Sequence, residues 1–353
     1  MRRFTLVHSM FLSATCGFLL AAAGAGCGGD DPPPPPPTPD MATPAVTCTQ
    51  AQVTGSSNKL ATDTLKLPKS TGGTTYTYDF DGDGKPENQL KNLINVVSLS
   101  GLDIQASVDS AVQSGEAVLL SDIKTADLMS SSCSSFSFAL AEAPMGWKPK
   151  FDGSDMFKVG AIMSVTLFGG ITAGKMSTTP SKDQTSANEQ KVSLNLPLGM
   201  GNNLPLDLRG AHVEGTLAME GGVLKIKNGA IHGVLSQKDI DGKIVPLVAQ
   251  LVTKMINDKP DDSTTKTIIN LFENQMNDVS KNKCMNTPEK CCKTNAKTCV
   301  ILDAEIKMSP VGGVLASDIE AFDGQDRWAP SKENKNKNGM SVGLGFSMIK
   351  AKF

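Results

Sequence analysis

Between Val192 and Met219 the chain alternates apolar and polar residues with a regularity that constrains its fold more than any other feature. Val192, Leu194, Leu196 and Leu198 are followed by Leu204, Leu206 and Leu208, and then by Val213, Leu217 and Met219, with His212, Glu214 and Thr216 between them. A period of two puts one face of a strand in the core and the other in water, which is the pattern of antiparallel sheet. Glycines and prolines interrupt every few residues, so the segment is expected to form several short strands in a sandwich or strongly curved sheet.

Around this centre the period changes. Thr74–Phe80, rich in Thr and Tyr, reads as a strand, and Glu87–Ser98 and Leu102–Ser114 carry helical spacing, the second ending at Gly115. Ala117–Leu120 and Ser134–Ala141 read as strands. Ile244, Leu247, Val248, Leu251, Val252 and Met255 form a helical stripe, and a second helix is expected after Ser263, with Ile268, Leu271, Phe272, Met276 and Val279 inward. Ile301–Met308 and Val342–Met348 are expected to return to strand. The expected class is α+β, with an antiparallel, sandwich-like β core and a helical pair before the C-terminal strands. The ending on Phe353 resembles the last strand of outer-membrane barrels, but the intervening helices and the anchor described next argue against a barrel.

Residues 1–26 have the order of a secretory signal. Arg2 and Arg3 precede an apolar run, Met10–Ala23, that is too short to span a bilayer. Gly24-Ala25-Gly26-Cys27 resembles the lipobox of bacterial lipoproteins, with Gly24 where the family usually carries Leu, and the resemblance implies lipidation at Cys27. Residues 27–47 then read as a proline-rich linker. Pro32–Pro37 is a polyproline II run, and Asp31–Pro44 in that form would hold a domain about 40 Å from a membrane. Residues 48–353 are expected to form a single globular α+β region, with a possible subdivision near 145–190.

Loss of residues 1–26 takes the formal net charge from −2 to −4 and leaves two arginines, Arg209 and Arg327. Readers of nucleic acid and phosphate lean on clustered Arg, so those partners are excluded. Six cysteines remain beyond Cys16 and Cys27: Cys48, Cys133, Cys284, Cys291, Cys292 and Cys299. An even number in an oxidising compartment points to three disulfides, with 15 pairings open. The spacing around Cys291-Cys292 does not suit a tetrahedral zinc site.

One run carries metal chemistry. In Asp79-Phe80-Asp81-Gly82-Asp83-Gly84-Lys85-Pro86-Glu87, oxygens of Asp79, Asp81, Asp83 and Glu87, with the Lys85 carbonyl, can converge on one Ca²⁺ when the chain turns at Gly84. The spacing resembles the D-x-D-x-D-G loops of FG-GAP and thrombospondin-type repeats, and the first half of EF-hand and dockerin loops. Leu90 stands where an EF-hand has its bidentate Glu, which favours the shorter loop. No second copy follows at regular spacing, so neither a propeller nor a dockerin is expected. A calcium ion here would be structural, joining a strand to the following helix.

Catalytic patterns are sparse. His212 and Glu214 share a strand face, so a metal or acid–base pair with His232 is conceivable. Ser56-x-x-Lys59 and Ser263-x-x-Lys266 lack the S-D-N and K-T-G partners of serine acylases, and no nucleophile elbow, P-loop or H-E-x-x-H is present. As a whole the chain is similar to Gram-negative envelope lipoproteins with a lipid anchor, a proline spacer and one Asp/Gly loop. That likeness implies exposure on the outer membrane or cell surface, membrane attachment through the lipid, and an unspecified surface or periplasmic ligand. The expectation is a non-enzymatic binding, adhesion or scaffold protein, with a hydrolase of unrecognised site as the alternative.

Overall fold

The alternating segments become strands, and the strands close on themselves. The structure, a computed structural model, describes residues 48–69, 75–98, 103–142, 147–160, 165–179, 191–199, 202–274, 299–309, 312–313 and 315–353. In chain order these contain β1 (Ser56–Lys66), α1 (Leu90–Ser98), α2 (Ile104–Ser114), β2 (Leu119–Thr125), β3 (Ser130–Glu142), β4 (Lys158–Val159), β5 (Val165–Thr172) and β6 (Lys175–Thr178). Then come β7 (Val192–Gly199), β8 (Asn202–Glu220), β9 (Val223–Ser236), α3 (Gln237–Asp239), a π-helical turn (Ile240–Ile244), α4 (Val245–Asp258), α5 (Ser263–Asn274), α6 (Asp303–Met308) and β10 (Gly339–Lys350).

Eight strands run antiparallel in the order β2-β1-β10-β9-β8-β6-β5-β3, and β3 pairs back onto β2, with Ile123 opposite Phe136. The sheet is therefore a closed barrel, which corrects the expected sandwich. Closure satisfies edge N–H and C=O groups that a sandwich leaves open. Leu60, Ile123, Phe136, Leu167, Met176, Val213, Ile231 and Leu344, one from each strand, belong to one buried cluster. In a closed sheet, a face that every strand contributes to one cluster is the inner one. α2, β7 and α4 add Val108, Leu196 and Val248 to it. Among the described residues no helix is long and apolar enough to cross a membrane.

The expected helices near 87–98 and 102–114 are α1 and α2. Asp103 caps α2 by accepting the Ala106 N–H at 2.9 Å, and Gly115 ends it at φ 84°. The pair before the C-terminus is α4, with Val248, Leu251, Val252 and Met255 buried, and α5, with Ile268 buried. Met276 and Val279 lie outside the described residues.

Three expectations are corrected. The runs at 204–208 and 211–219 are one 19-residue strand, β8, whose first half pairs β7 and whose second half pairs β6 and β9. Gly210, read as punctuation, sits instead in a register shift between Arg209 and His212. Thr74–Phe80 is not a strand in its described part; only Tyr78 bridges, to Glu87. Ile301–Met308 contains helix α6, because the Glu305 carboxylate accepts the Leu302 N–H at 2.6 Å and the acidic and basic residues fall at the ends that suit the helix dipole. Burial of Ile301, Glu305 and Ile306 follows the helical period.

Cys48 is bonded to Cys133, fastening the start of the domain to β3. Cys299 is also disulfide-bonded. Cys284, Cys291 and Cys292 lie outside the described residues, as do Cys27 and the proline run. The Cys48–Cys133 bridge spans 85 residues, and a crosslink of that span restricts the unfolded chain by about 2–4 kcal/mol. Replacing both cysteines by alanine is expected to lower the melting temperature by roughly 5–10 °C. Paired thermal melts check this, and an unchanged midpoint would mean that the bridge constrains nothing.

Candidate functional site

β10 is smooth on its outer face. Its large residues, Met340, Val342, Leu344, Phe346 and Met348, point one way, leaving Ser341, Gly343, Gly345 and Ser347 on the other. Segment 75–88 lies on this smooth face. A Cβ on Gly343 would stand 1.9 Å from the Tyr76 carbonyl oxygen, and one on Gly345 would stand 2.1 Å from the Tyr76 ring. Buried Asn88 clamps the contact. Its amide donates to the carbonyls of Thr75, Tyr76 and Gly343 at 2.7, 3.0 and 3.0 Å. Its oxygen accepts the N–H groups of Gly343 and Leu90, both at 3.1 Å. A second segment, 315–338, covers the neighbouring surface, with Phe80, Val234, Ile319, Phe322 and Trp328 in one apolar cluster. Trp328 lies against the bare backbone of Gly210, where a Cβ would come within 2.4 Å of the indole.

The acidic loop projects from this cover. Tyr78 and Glu87 exchange both main-chain hydrogen bonds, at 3.2 and 3.1 Å, so residues 79–86 form a loop with paired ends. Asp79 accepts the N–H groups of Gly82, Asp83 and Gly84 at 2.6, 3.1 and 2.9 Å, and Asp81 accepts that of Asp83 at 3.0 Å. Gly82 and Gly84 supply the left-handed turns, at φ 74° and 86°. One oxygen from each of Asp79, Asp81 and Asp83 lies within 4.8 Å of the others, so these three expected ligands are brought together in a cluster able to hold a metal ion. Asp81 also accepts a hydrogen bond from the Asn334 amide, tying the loop to the second segment. Lys85 sits on the exposed rim, its N–H donating to Asp83 at 2.8 Å and its ammonium 3.3 Å from the same carboxylate.

Glu87 stands behind the cluster. Its Oε2 is buried without a hydrogen-bond partner. Burial, and then the negative charges of Asp81, Asp318, Asp83 and Asp79, push its pKa up to about 7. The donor set is all oxygen and strongly acidic, which suits a hard divalent cation.

Beside the loop lies a second group. His212 and His232 face each other in register across β8 and β9, their ring centroids 5.7 Å apart. Tyr78 stacks over both, at 4.3 and 5.3 Å. The His212 Nδ1 donates to the Thr178 carbonyl, which leaves Nε2 facing Glu214, 3.8 Å away. His232 Nε2 lies 3.5 Å from the other Glu214 oxygen, and neither of its ring nitrogens makes a well-formed hydrogen bond. Both histidines are buried and Glu214 is half exposed. The two imidazoles hold the Glu214 carboxyl well below the usual carboxylate range. Burial lowers the pKa of His232, and burial followed by the charges of Glu214 and Asp79 raises that of Tyr78.

His212, Glu214 and His232 thus converge as their strand positions suggest, beneath the ring of Tyr78. Elsewhere, Ala111, Glu116, Pro197 and Asn203 line an open surface cleft. Trp147 packs edge-on against Phe157, and Trp328 is buried between Phe80 and Phe322. Sequence reasoning missed Asn88, and it missed Tyr78 as the cover of the histidines. The signal available for the docking face was the Ser/Gly alternation of the last strand, which marks a surface that another piece of backbone must approach. No protein family, curated protein or solved structure matches the chain.

Docking of segment 75–88 depends on the absence of a side chain at Gly343. Gly343→Ala is expected to destabilise the protein by about 1–3 kcal/mol through overpacking. Gly242→Ala, in a helical turn where a Cβ meets nothing within 4 Å, is expected to raise stability slightly, by about 0.4–1 kcal/mol. Denaturant unfolding of the two variants checks this, and equal midpoints would remove the docking role of Gly343.

Proposed function

We propose that this chain is a lipid-anchored protein of the cell envelope, whose barrel domain serves as a non-enzymatic binding, adhesion or scaffold module stabilised by calcium. The observation that carries the reading is the convergence of Asp79, Asp81 and Asp83 at the tip of the segment that covers β8–β10. Asp79, Asp81, Asp83 and Glu87, with the Lys85 main-chain carbonyl, would hold the ion. Calcium would offset the mutual repulsion of the carboxylates and brace the cover through Asp81 and Asn334. The Cys48–Cys133 bond is consistent with an oxidising compartment. Lipid on Cys27 and the proline spacer supply attachment and reach, and the ligand is an unidentified surface or periplasmic molecule.

Hydrolysis is the second reading, favoured by the convergence of His212, Glu214 and His232. It stands second because Tyr78 lies flat on both imidazoles and covers them against a substrate.

Thermal unfolding in millimolar Ca²⁺ and in EGTA tests the calcium reading. Ligand at 100 times its dissociation constant adds about 2.7 kcal/mol, a rise of several degrees that Asp81→Ala and Asp83→Ala should abolish. No shift in the unaltered protein would reduce the loop to an acidic turn. The anchor is tested separately: Cys27→Ala should remove fatty-acid labelling and release the protein from membranes. A variant that stays labelled would place the lipid elsewhere.

A further inference from the structure

From two buried imidazoles that each turn a ring nitrogen toward an oxygen of one carboxylate, we infer that His212, His232 and Glu214 form a binding site for a first-row divalent metal ion such as Zn²⁺, separate from the acidic loop.

His212 carries the clearest mark of a ligand. Its Nδ1–H donates to the Thr178 carbonyl, which fixes the tautomer and leaves a bare lone pair on Nε2. Metal-bound imidazoles are held in this way, with one nitrogen on a main-chain carbonyl and the other on the ion. Here the lone pair faces Glu214 Oε2 at 3.8 Å. A lone pair and a carboxylate oxygen repel each other, so a cation belongs between them. His232 repeats the arrangement from the neighbouring strand. Its Nε2 faces Glu214 Oε1 at 3.5 Å, and its ring, 1 % exposed, makes no well-formed hydrogen bond at either nitrogen. The main chain of Tyr76 lies against the same ring. A buried imidazole without a partner is costly, and ligation of an ion satisfies it.

The distances favour a metal over a shared proton. A proton between imidazole and carboxylate draws nitrogen and oxygen to about 2.7–2.9 Å. Ligand atoms about 2.0–2.1 Å from one tetrahedral ion stand roughly 3.3–3.5 Å apart, and two imidazoles on that ion have ring centres roughly 5–6 Å apart. The nitrogen-to-oxygen separations here are 3.5 and 3.8 Å, and the ring centroids are 5.7 Å apart. One proton closes one gap only, whereas one divalent ion takes both imidazoles and the carboxylate. Glu214 is half exposed, so its carboxylate can swing onto the ion and its side is the route of entry.

Imidazole and carboxylate together suit Zn²⁺ and its first-row neighbours, whereas Ca²⁺ takes oxygen ligands. The two sites therefore select different ions, although Tyr78 and Glu87 bring them side by side. Tyr78 lies over both rings, so the ion is held rather than offered to a substrate.

Calorimetric titration of Zn²⁺ into the full chain in detergent, without a histidine tag and with millimolar Ca²⁺ present, tests the site. The unaltered protein should bind one equivalent of Zn²⁺ that depends on these residues. His232→Gln and Glu214→Gln should each weaken that equivalent by more than the about 10–100-fold that loss of an outer partner costs, while Asp81→Ala leaves it unchanged. Glu214→Gln, altered at a half-exposed position, decides the matter where His232→Gln does not fold. Absence of Zn²⁺ uptake overturns the site. So does uptake of equal strength in the unaltered protein and in Glu214→Gln or His232→Gln, which assigns the ion to the acidic loop or to cysteines. Neither result touches the calcium reading, which the melts in Ca²⁺ and EGTA decide.

Discussion

Closure of the sheet governs everything else in this molecule. Pairing β3 to β2 removes both edges at once and gives every barrel strand an inner face and an outer one. The inner face is filled by branched and aromatic side chains of all eight strands, joined by α2, β7 and α4. The outer face is not uniformly solvated. On β8, β9 and β10 it is small, polar or imidazole-bearing, and the chain returns over it in two non-repetitive segments. Segment 75–88 needs the glycines of β10, and segment 315–338 needs Gly210 and Gly339 for Trp328 and Phe322. These glycines serve close approach of one backbone or ring to another, a purpose distinct from the turn-making usually assigned to glycine.

Much of the secondary structure was legible because period two and period 3.6 are local. Val192–Leu198 and Leu204–Leu208 could be read as antiparallel strands, α2 from its apolar spacing and Gly115, and α4 from its stripe. Closure was not legible. Whether a curved antiparallel sheet folds into two layers or joins first strand to last depends on pairing between Leu119–Thr125 and Ser130–Glu142 and on the strands at the two ends of the chain, and residue alternation is the same in both cases. The misassigned segment 301–308 shows the limit of short windows. Its polar residues at 303, 305 and 307 alternate, and six residues are too few to separate strand from one and a half helical turns; the Glu305 cap decides. Segment 75–80 has strand composition, but Asn88 takes up its carbonyls with a side-chain amide, so it docks without joining a ladder.

The site was partly legible in the same way. Three aspartates at alternate positions with intervening glycines can only fold tightly, and Asp79, Asp81 and Asp83 do converge. Glu87 was named for its position in the loop, whereas its raised pKa arises first from burial, and then from Asp81 and from Asp318, which is distant in sequence. The histidines could be placed on a strand face but not beneath Tyr78, because that contact crosses from residue 78 to residues 212 and 232.

Loop and histidine stack sit on opposite sides of one residue pair, Tyr78 and Glu87, and this adjacency is the main physical result. An oxygen cluster that repels itself and an imidazole pair with one counter-charge are each costly to hold closed. Both are held by the same short segment, through Asn88 on one side and the Asp81–Asn334 contact on the other. Charge added to either group therefore acts on the same docking equilibrium.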